Sequence, residues 1–148
     1  MSEDANERAA CAPAVAAVIR FFENISPADI ARMGEIYTED AYFKDPFNEV
    51  KGVAAIARIF EHMFAQLGEP RFHVHDALGT DREAFLTWDF LFRRGDQAMR
   101  IRGATHLRLD AHGRIHFHRD YWDAAEELYA KLPLLGALMR WLQRRLSS

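Results

Sequence analysis

The chain contains a single cysteine, Cys11, so it cannot form an internal disulfide or a zinc site built on paired cysteines. It has no glycine-rich phosphate loop and no Gly-x-Ser-x-Gly elbow, which removes the usual support for a nucleotide-binding protein or a serine hydrolase. No apolar run reaches the roughly 18–20 residues of a transmembrane helix. Acids outnumber lysine and arginine, 22 to 19. We therefore expect neither nucleic acid nor a membrane as partner.

The composition that remains is typical of one globular domain. Of 148 residues, 49% are hydrophobic and 28% are charged, which is enough apolar material for a single core. We expect this core to cover about residues 13–128, with a helical extension at 132–146. The first fifteen residues carry acids and no basic stretch before the first apolar run, so they do not resemble a secretory signal. A cytoplasmic location is expected.

Helical patterns occupy the first half of the chain. Apolar residues at i, i+3, i+4 and i+7 predict a helix that begins at Pro13. A serine cap at Ser26, followed by a proline and an acid, predicts a short second helix that ends near Met33. Gly52 opens a third helix with apolar residues at helical spacing, and Gly68 ends it.

Strand patterns dominate the second half. A short strand at Tyr42–Pro46 precedes the third helix, and four strand-like segments separated by turns follow it: Arg71–Ala77, Ala84–Arg94, Ala98–Leu109 and Arg114–Asp123. This order predicts an α+β fold in which a curved antiparallel sheet forms a cone against three N-terminal helices. Aromatic side chains on both faces of Ala84–Arg94 indicate that the outer face is also covered, for example in a homodimer.

The last segment combines leucines and a tryptophan with arginines. From Leu132 to Leu146 this pattern predicts an amphipathic C-terminal helix. Two placements are open: packing on its own domain or a partner subunit, or contact with a membrane surface.

Two histidine pairs have a spacing that can chelate a metal ion. His73 with His75, and His116 with His118, each put two imidazoles on one face of a strand. No third ligand follows from the sequence, so we predict no metal and no other cofactor, and a metal-dependent enzyme stays a third alternative.

Three aspartates lie in or beside apolar strands, where a carboxylate is costly unless it is paired or used in chemistry. Asp45 stands between aromatic residues and a proline, Asp89 lies in the aromatic strand, and Asp120 shares a face with His118 and Trp122. If these faces turn into the cone, the carboxylates and the imidazole line one apolar cavity suited to proton transfer. For each aspartate taken singly, a salt bridge or a backbone cap is the alternative.

Three stretches give the chain a wider resemblance: Phe21-Phe22 in the first helix, IYTEDAYFKDP before the third, and GRIHFHRDYWD in the last strand. With the predicted layout they resemble the nuclear transport factor two-like superfamily, which includes SnoaL-like polyketide cyclases, ketosteroid isomerases and limonene epoxide hydrolases. The resemblance covers about Val15 to Leu128. It implies a cone fold, a pocket for a small apolar ligand and a homodimer through the outer face of the sheet.

Two branches of the superfamily imply different roles for the aspartates. Resemblance to ketosteroid isomerases implies Asp45, which precedes a proline, as the general base. The two hydrogen-bond donors of those enzymes fall on Phe21, which cannot donate, and on Thr105, a weaker donor than a carboxylic acid. Resemblance to limonene epoxide hydrolases implies instead Asp120 as the aspartate that activates water and Asp89 as the acid. The other site positions of that family fall on Thr87, Phe43 and Asp45.

Two functions follow as hypotheses. The first is a cofactor-free acid/base isomerase or hydrolase for an apolar cyclic substrate, with Asp45 as base, Asp120 or His118 as its partner, and Asp89 in support. Contacts with the substrate are expected from Phe21, Phe43, Thr87, Thr105 and Trp122. The second is a non-catalytic module of the same fold that binds an apolar ligand or another protein.

Overall fold

The computed structural model describes residues 11–128 and 133–146. In chain order its elements are α1 (Pro13–Glu23), a 3-10 helix (Pro27–Glu35), β1 (Tyr37–Lys44), β2 (Glu49–Lys51), α2 (Val53–Gln66), β3 (Gly68–Gly79), β4 (Glu83–Arg94), β5 (Gln97–Leu109), β6 (Ile115–Tyr121), α3 (Ala124–Glu127) and α4 (Pro133–Leu146). Within the described ranges, no helix has the length and apolar character needed to cross a bilayer. The predicted α+β cone is confirmed.

The three predicted N-terminal helices are present, and the second is a 3-10 helix. The predicted stripe of α1 is buried: Val15, Val18, Ile19 and Phe22. At the 3-10 helix, Asp29 accepts hydrogen bonds from the backbone N–H and the hydroxyl of Ser26, at 2.8 and 2.9 Å. These bonds hold the pKa of Asp29 below its usual value. The helix ends at Glu35, two residues beyond the predicted end.

One six-stranded sheet carries the fold, in the order β2-β1-β6-β5-β4-β3. Its neighbours are antiparallel except for β1 and β6, which run parallel, whereas an all-antiparallel sheet was expected. β1 also begins at Tyr37, five residues before the predicted start, and it pairs with β2 on one side and with β6 on the other.

The inner face of β4 is the uniformly apolar one. Its buried side chains are Leu86, Trp88, Phe90 and Phe92. The opposite face carries Thr87 and Asp89, so burying it would desolvate a carboxylate for less apolar gain. The expectation that the Asp89 face turns into the cone is therefore wrong, because the fold buries the face without charge.

A β-bulge in β6 separates the second histidine pair. Phe117 pairs with Arg108 and Ile115 with Leu109, which leaves His116 as an extra residue. As a result His116 is exposed and His118 is buried, and the prediction that both lie on one face is wrong. In β5 the predicted alternation is confirmed, with Met99, Ile101, Thr105 and Leu107 all buried.

The C-terminal segment forms the predicted helix, α4. Its Trp141 is half-exposed. Residue Leu132, where the helix was expected to begin, and the first ten residues lie outside the described part of the chain.

Candidate functional site

A cavity of about 490 Å³ lies between α2 and the inner face of the sheet. This volume falls within the roughly 300–1,000 Å³ of small-molecule sites. Eight phenylalanine and tryptophan residues line it: Phe43, Phe47, Phe60, Phe72, Trp88, Phe90, Phe92 and Trp122. Its polar lining residues are Asp120, at the deep end, together with Asp45, Asn48, His62, Gln66 and Arg94, of which the last three are exposed.

Asp120 is held by a chain of short hydrogen bonds. Its Oδ1 accepts a hydrogen bond from the hydroxyl of Thr105 at 2.6 Å and lies 2.7 Å from Nε2 of His118. The indole N–H of Trp88 donates to Thr105 Oγ1 at 2.7 Å, and the hydroxyl of Tyr37 lies 2.7 Å from Nδ1 of His118. We call these five residues the Asp120 network. Hydrogen bonds from the described residues reach only Oδ1, so Oδ2 is available to a ligand in the cavity.

The direction of each bond in the Asp120 network follows from its end members. Trp88 can only donate, so Thr105 accepts from it and gives its single hydroxyl hydrogen to Asp120. Burial, and then the charge of Asp120, raise the pKa of Tyr37 well above its usual value, so Tyr37 keeps its proton and donates it to Nδ1 of His118. Since Nδ1 of His118 is an acceptor, the N–H of this imidazole is assigned to Nε2, which donates to Asp120.

Strand register brings the Asp120 network together. Thr105 on β5 lies opposite Asp120 on β6, and Gly103 on β5 lies opposite Trp88 on β4. A Cβ at Gly103 would lie about 2.5 Å from the Trp88 ring, so only glycine allows the indole to cross β5 at this point. The indole then reaches Thr105, two residues further along β5.

Asp45 lines the cavity, but its carboxylate accepts hydrogen bonds within the turn between β1 and β2. Its Oδ1 accepts hydrogen bonds from the backbone N–H groups of Phe47 and Asn48, at 2.8 and 2.7 Å. The side-chain amide of Asn48 also lies 3.1 and 3.2 Å from its two oxygens. Of the alternatives considered from the sequence, a cap on backbone N–H groups therefore describes the contacts of Asp45.

Three predicted site residues lie away from the cavity. Asp89 is on the outer face, 3.3 Å from His75 Nε2 and 3.8 Å from Arg100 Nη1. Thr87, on the same face, donates to Asp76 at 2.9 Å. Phe21 lies beside the buried stripe of α1 and packs edge-on against Phe22 rather than lining the cavity. The other six predicted site residues line the cavity or belong to the Asp120 network: Asp45, Asp120, His118, Phe43, Thr105 and Trp122.

Tyr37 and Trp88 were not predicted as site residues. Tyr37 was missed because the first strand was expected to begin five residues later. Trp88 was assigned to the outer face, although Leu86, Phe90 and Phe92 share its strand face. Comparing the charge on the two faces of β4 identifies the buried one.

The histidine pairs do not form a metal site in the part of the chain that the structure describes, where no group of three potential ligands converges. His73 lies 3.7 Å from Glu23, and His118 has both ring nitrogens in the Asp120 network.

Solved structures with the same architecture come from several bacteria. A Catenulispora acidiphila protein with a ketosteroid isomerase-like fold, in complex with trimethylamine, has a TM-score of 0.69 and 16% identity, over 83% of this chain and 95% of that chain. An LEH-like epoxide hydrolase from M. tuberculosis has a TM-score of 0.63 and 18% identity, over 91% of this chain and 94% of that chain. A protein described as a SnoaL-like polyketide cyclase, from Shewanella putrefaciens, has a TM-score of 0.66 and 16% identity, over 86% of this chain and 94% of that chain. At these identities the similarity establishes the fold alone.

The cone with its internal cavity is the fold of nuclear transport factor two-like proteins. The family model of the SnoaL-like domain matches residues 18–118, more than half of the chain, so the protein belongs to the SnoaL-like domain family. A search of curated proteins found no significant match.

Proposed function

We propose that this protein is a cofactor-free proton-transfer enzyme whose base is Asp120. The observation that carries the proposal is the position of this carboxylate at the deep end of an apolar cavity, with Oδ1 held by Thr105 and His118 and Oδ2 without a hydrogen bond from the described residues. Because Oδ1 already accepts two hydrogen bonds, Oδ2 is the atom that takes up a proton from the substrate. His118, fixed by Tyr37, orients the carboxylate.

The hydrogen-bond donors around Asp120 are already used, and this favours a particular kind of substrate. Removing a proton from carbon leaves negative charge on the substrate, which enzymes usually stabilise with aimed donors. The donors around Asp120 are already used within the network: the Thr105 hydroxyl and the His118 Nε2–H donate to Asp120 itself, and the Trp88 indole donates to Thr105. A substrate that delocalises its own charge, such as a cyclic β-dicarbonyl compound, fits this site best. Asp120 would take the C–H proton and return it to another carbon or oxygen of the resulting enolate.

Proton transfer is favoured over epoxide opening because the second carboxylate is misplaced. Protonating an epoxide while activating water needs an acid as well as a base, and Asp89, the expected acid, lies on the outer face of β4. The similarity to a SnoaL-like polyketide cyclase supports a carbon-acid substrate at the level of fold analogy.

The proposal is tested by offering the protein a cyclic β-keto ester, a cyclic enone and an epoxide in D2O, with NMR detection. We expect faster exchange of the acidic C–H proton of the β-keto ester, and a loss of about 10²–10⁴-fold in Asp120→Asn. Asp89→Asn, which removes a carboxylate from the outer face, is the matched control and should keep the rate. Diol formation from the epoxide as the main reaction would contradict the proposal, and tight binding without any reaction would favour a non-catalytic binding module.

A homodimer through the outer face of the sheet is a second part of the proposal. A row of rings in contact crosses four strands there, which we call the outer aromatic row: Phe85 stacks on His106, His106 meets Phe117 edge-on, and Phe117 stacks on Tyr42. Phe85 is 52% exposed, and Arg108 lies over the Phe117 ring. Exposed aromatic rings beside arginines are typical of protein interfaces. The cytoplasmic location expected from the sequence stays a prediction.

A further inference from the structure

The exposed end of the cavity carries an arginine that the inward face of β4 places there. Alternation along β4 continues from Trp88, Phe90 and Phe92 to Arg94, the last residue of the strand, which lines the cavity and is exposed. The adjacent Arg93 has the opposite orientation and donates to the carbonyl of Asp96 at 3.0 Å. Arg94 therefore lies on the face of β4 that lines the cavity.

Arg94 differs in its partners from the three arginines of the neighbouring strand β5. Arg100, Arg102 and Arg108 each have a carboxylate within 4 Å. Among the described residues no carboxylate lies within that distance of Arg94, and Asp45, which lines the same cavity, has its oxygens engaged by the turn. An unneutralised guanidinium at the opening of an apolar cavity is a ready partner for a carboxylate, sulfate or phosphate.

Asp120 and Arg94 lie at opposite ends of the cavity. Asp120 pairs through Thr105 with Leu86, and Arg94 lies eight residues further along β4. At about 3.3 Å per residue the backbone positions are roughly 25 Å apart, and the long arginine and the short aspartate side chain together can shorten the gap that a ligand spans to roughly 15 Å. The intervening wall is apolar, and the Asp120 carboxylate repels an anion from the deep end.

We propose that Arg94 binds the anionic end of an elongated apolar substrate and so directs the opposite, reacting end to Asp120. This inference rests on the proposed proton-transfer function and names its substrate class: an amphipathic organic anion. Arg94 acts on binding and orientation, whereas Asp120 acts on the proton.

Calorimetric titration with dodecanoate and with dodecanol, its uncharged counterpart, tests the inference without any turnover. The wild type should bind dodecanoate about three- to tenfold more tightly than dodecanol, and the preference should weaken as salt is raised. Arg94→Gln should remove the preference while leaving dodecanol binding unchanged. Arg93→Gln, which deletes the same charge from the neighbouring outward position, should keep it.

Two results would overturn the inference: an unchanged preference for dodecanoate in Arg94→Gln, or tighter binding of dodecyltrimethylammonium than of dodecanoate by the wild type. The second would mean that a cation sits against Asp120 and the aromatic wall instead. Because these titrations measure binding only, a result that contradicts the role of Arg94 does not affect the proton-exchange test with Asp120→Asn. Full activity in Asp120→Asn would remove the proposed function while the Arg94 preference is still measured.

Discussion

Gly103 determines how closely Trp88 can approach the neighbouring strand. Replacing it by alanine puts a methyl group about 2.5 Å from the indole, which has to move away from Thr105. We expect Gly103→Ala to lower the free energy of unfolding by about 1–3 kcal/mol and to reduce proton exchange as well. Urea denaturation and the exchange assay measure the two effects.

Gly34→Ala is the matched control, since nothing lies within 4 Å of the added methyl group in the 3-10 helix. Its unfolding free energy should stay within about 0.5 kcal/mol of the wild type. Equal effects of the two substitutions would mean that the indole is not held against Gly103.

Tyr37 fixes the orientation of His118 from a fully buried position. Tyr37→Phe leaves Nδ1 of His118 without its donor and should cost about 1–3 kcal/mol at pH 8. The pKa of Tyr37 is raised in the folded state, so its contribution is complete below about pH 10, the unfolded value, and is lost as the pH rises through the folded value. The difference between wild type and variant should therefore narrow above about pH 10.

Urea denaturation at a series of pH values checks this sign, with Tyr121→Phe, which alters a half-exposed ring, as the control. A difference that widens with rising pH would contradict the assignment of Tyr37 as a buried donor.

At the scale of the elements, the sequence predicts the helices and most strands because their local periodicity is strong. The stripe of α1 and the alternation of β5 are examples. Pairings between distant segments are not encoded locally: the parallel contact of β1 with β6 joins residues about 75 positions apart, and the bulge at His116 depends on the partner strand. Asp120 could be predicted as a site residue from its own strand, whereas its hydrogen bond from Thr105, and the one that Thr105 accepts from Trp88, join different strands and could not be predicted.

The turn between β1 and β2 decides the role of Asp45. Asp45→Ala removes the acceptor for the Phe47 and Asn48 N–H groups and should cost about 1–2 kcal/mol of unfolding free energy. Asp45→Asn keeps an acceptor oxygen and should cost less. Chemical denaturation measures both, and both variants should keep most of the exchange activity. Stability equal to the wild type in Asp45→Ala, together with lost activity, would return Asp45 to the role of base.

At the scale of the whole molecule, the sheet separates two surfaces with different tasks. The inner face encloses the cavity, and the outer face carries the outer aromatic row. We expect a dimer in solution that Phe85→Lys weakens at least tenfold, because a charge replaces a stacked ring at the centre of the interface. Light scattering across a concentration series measures the change.

Ala65→Lys adds the same charge to an exposed position on α2 and should leave the dimer intact. A wild type that stays monomeric at all concentrations would contradict the proposed interface.

The central claim is that Asp120, and not Asp45, exchanges the proton of a ligand in the cavity. Both carboxylates line the same cavity, but the turn engages both oxygens of Asp45, whereas hydrogen bonds from the described residues reach only one oxygen of Asp120. The most direct measurement is the rate of deuterium exchange into a cyclic β-keto ester by Asp120→Asn and Asp45→Asn under identical conditions. The account predicts a rate at least about 10²-fold lower in Asp120→Asn and nearly unchanged in Asp45→Asn. The reverse order, or equal rates in the two variants, would contradict it.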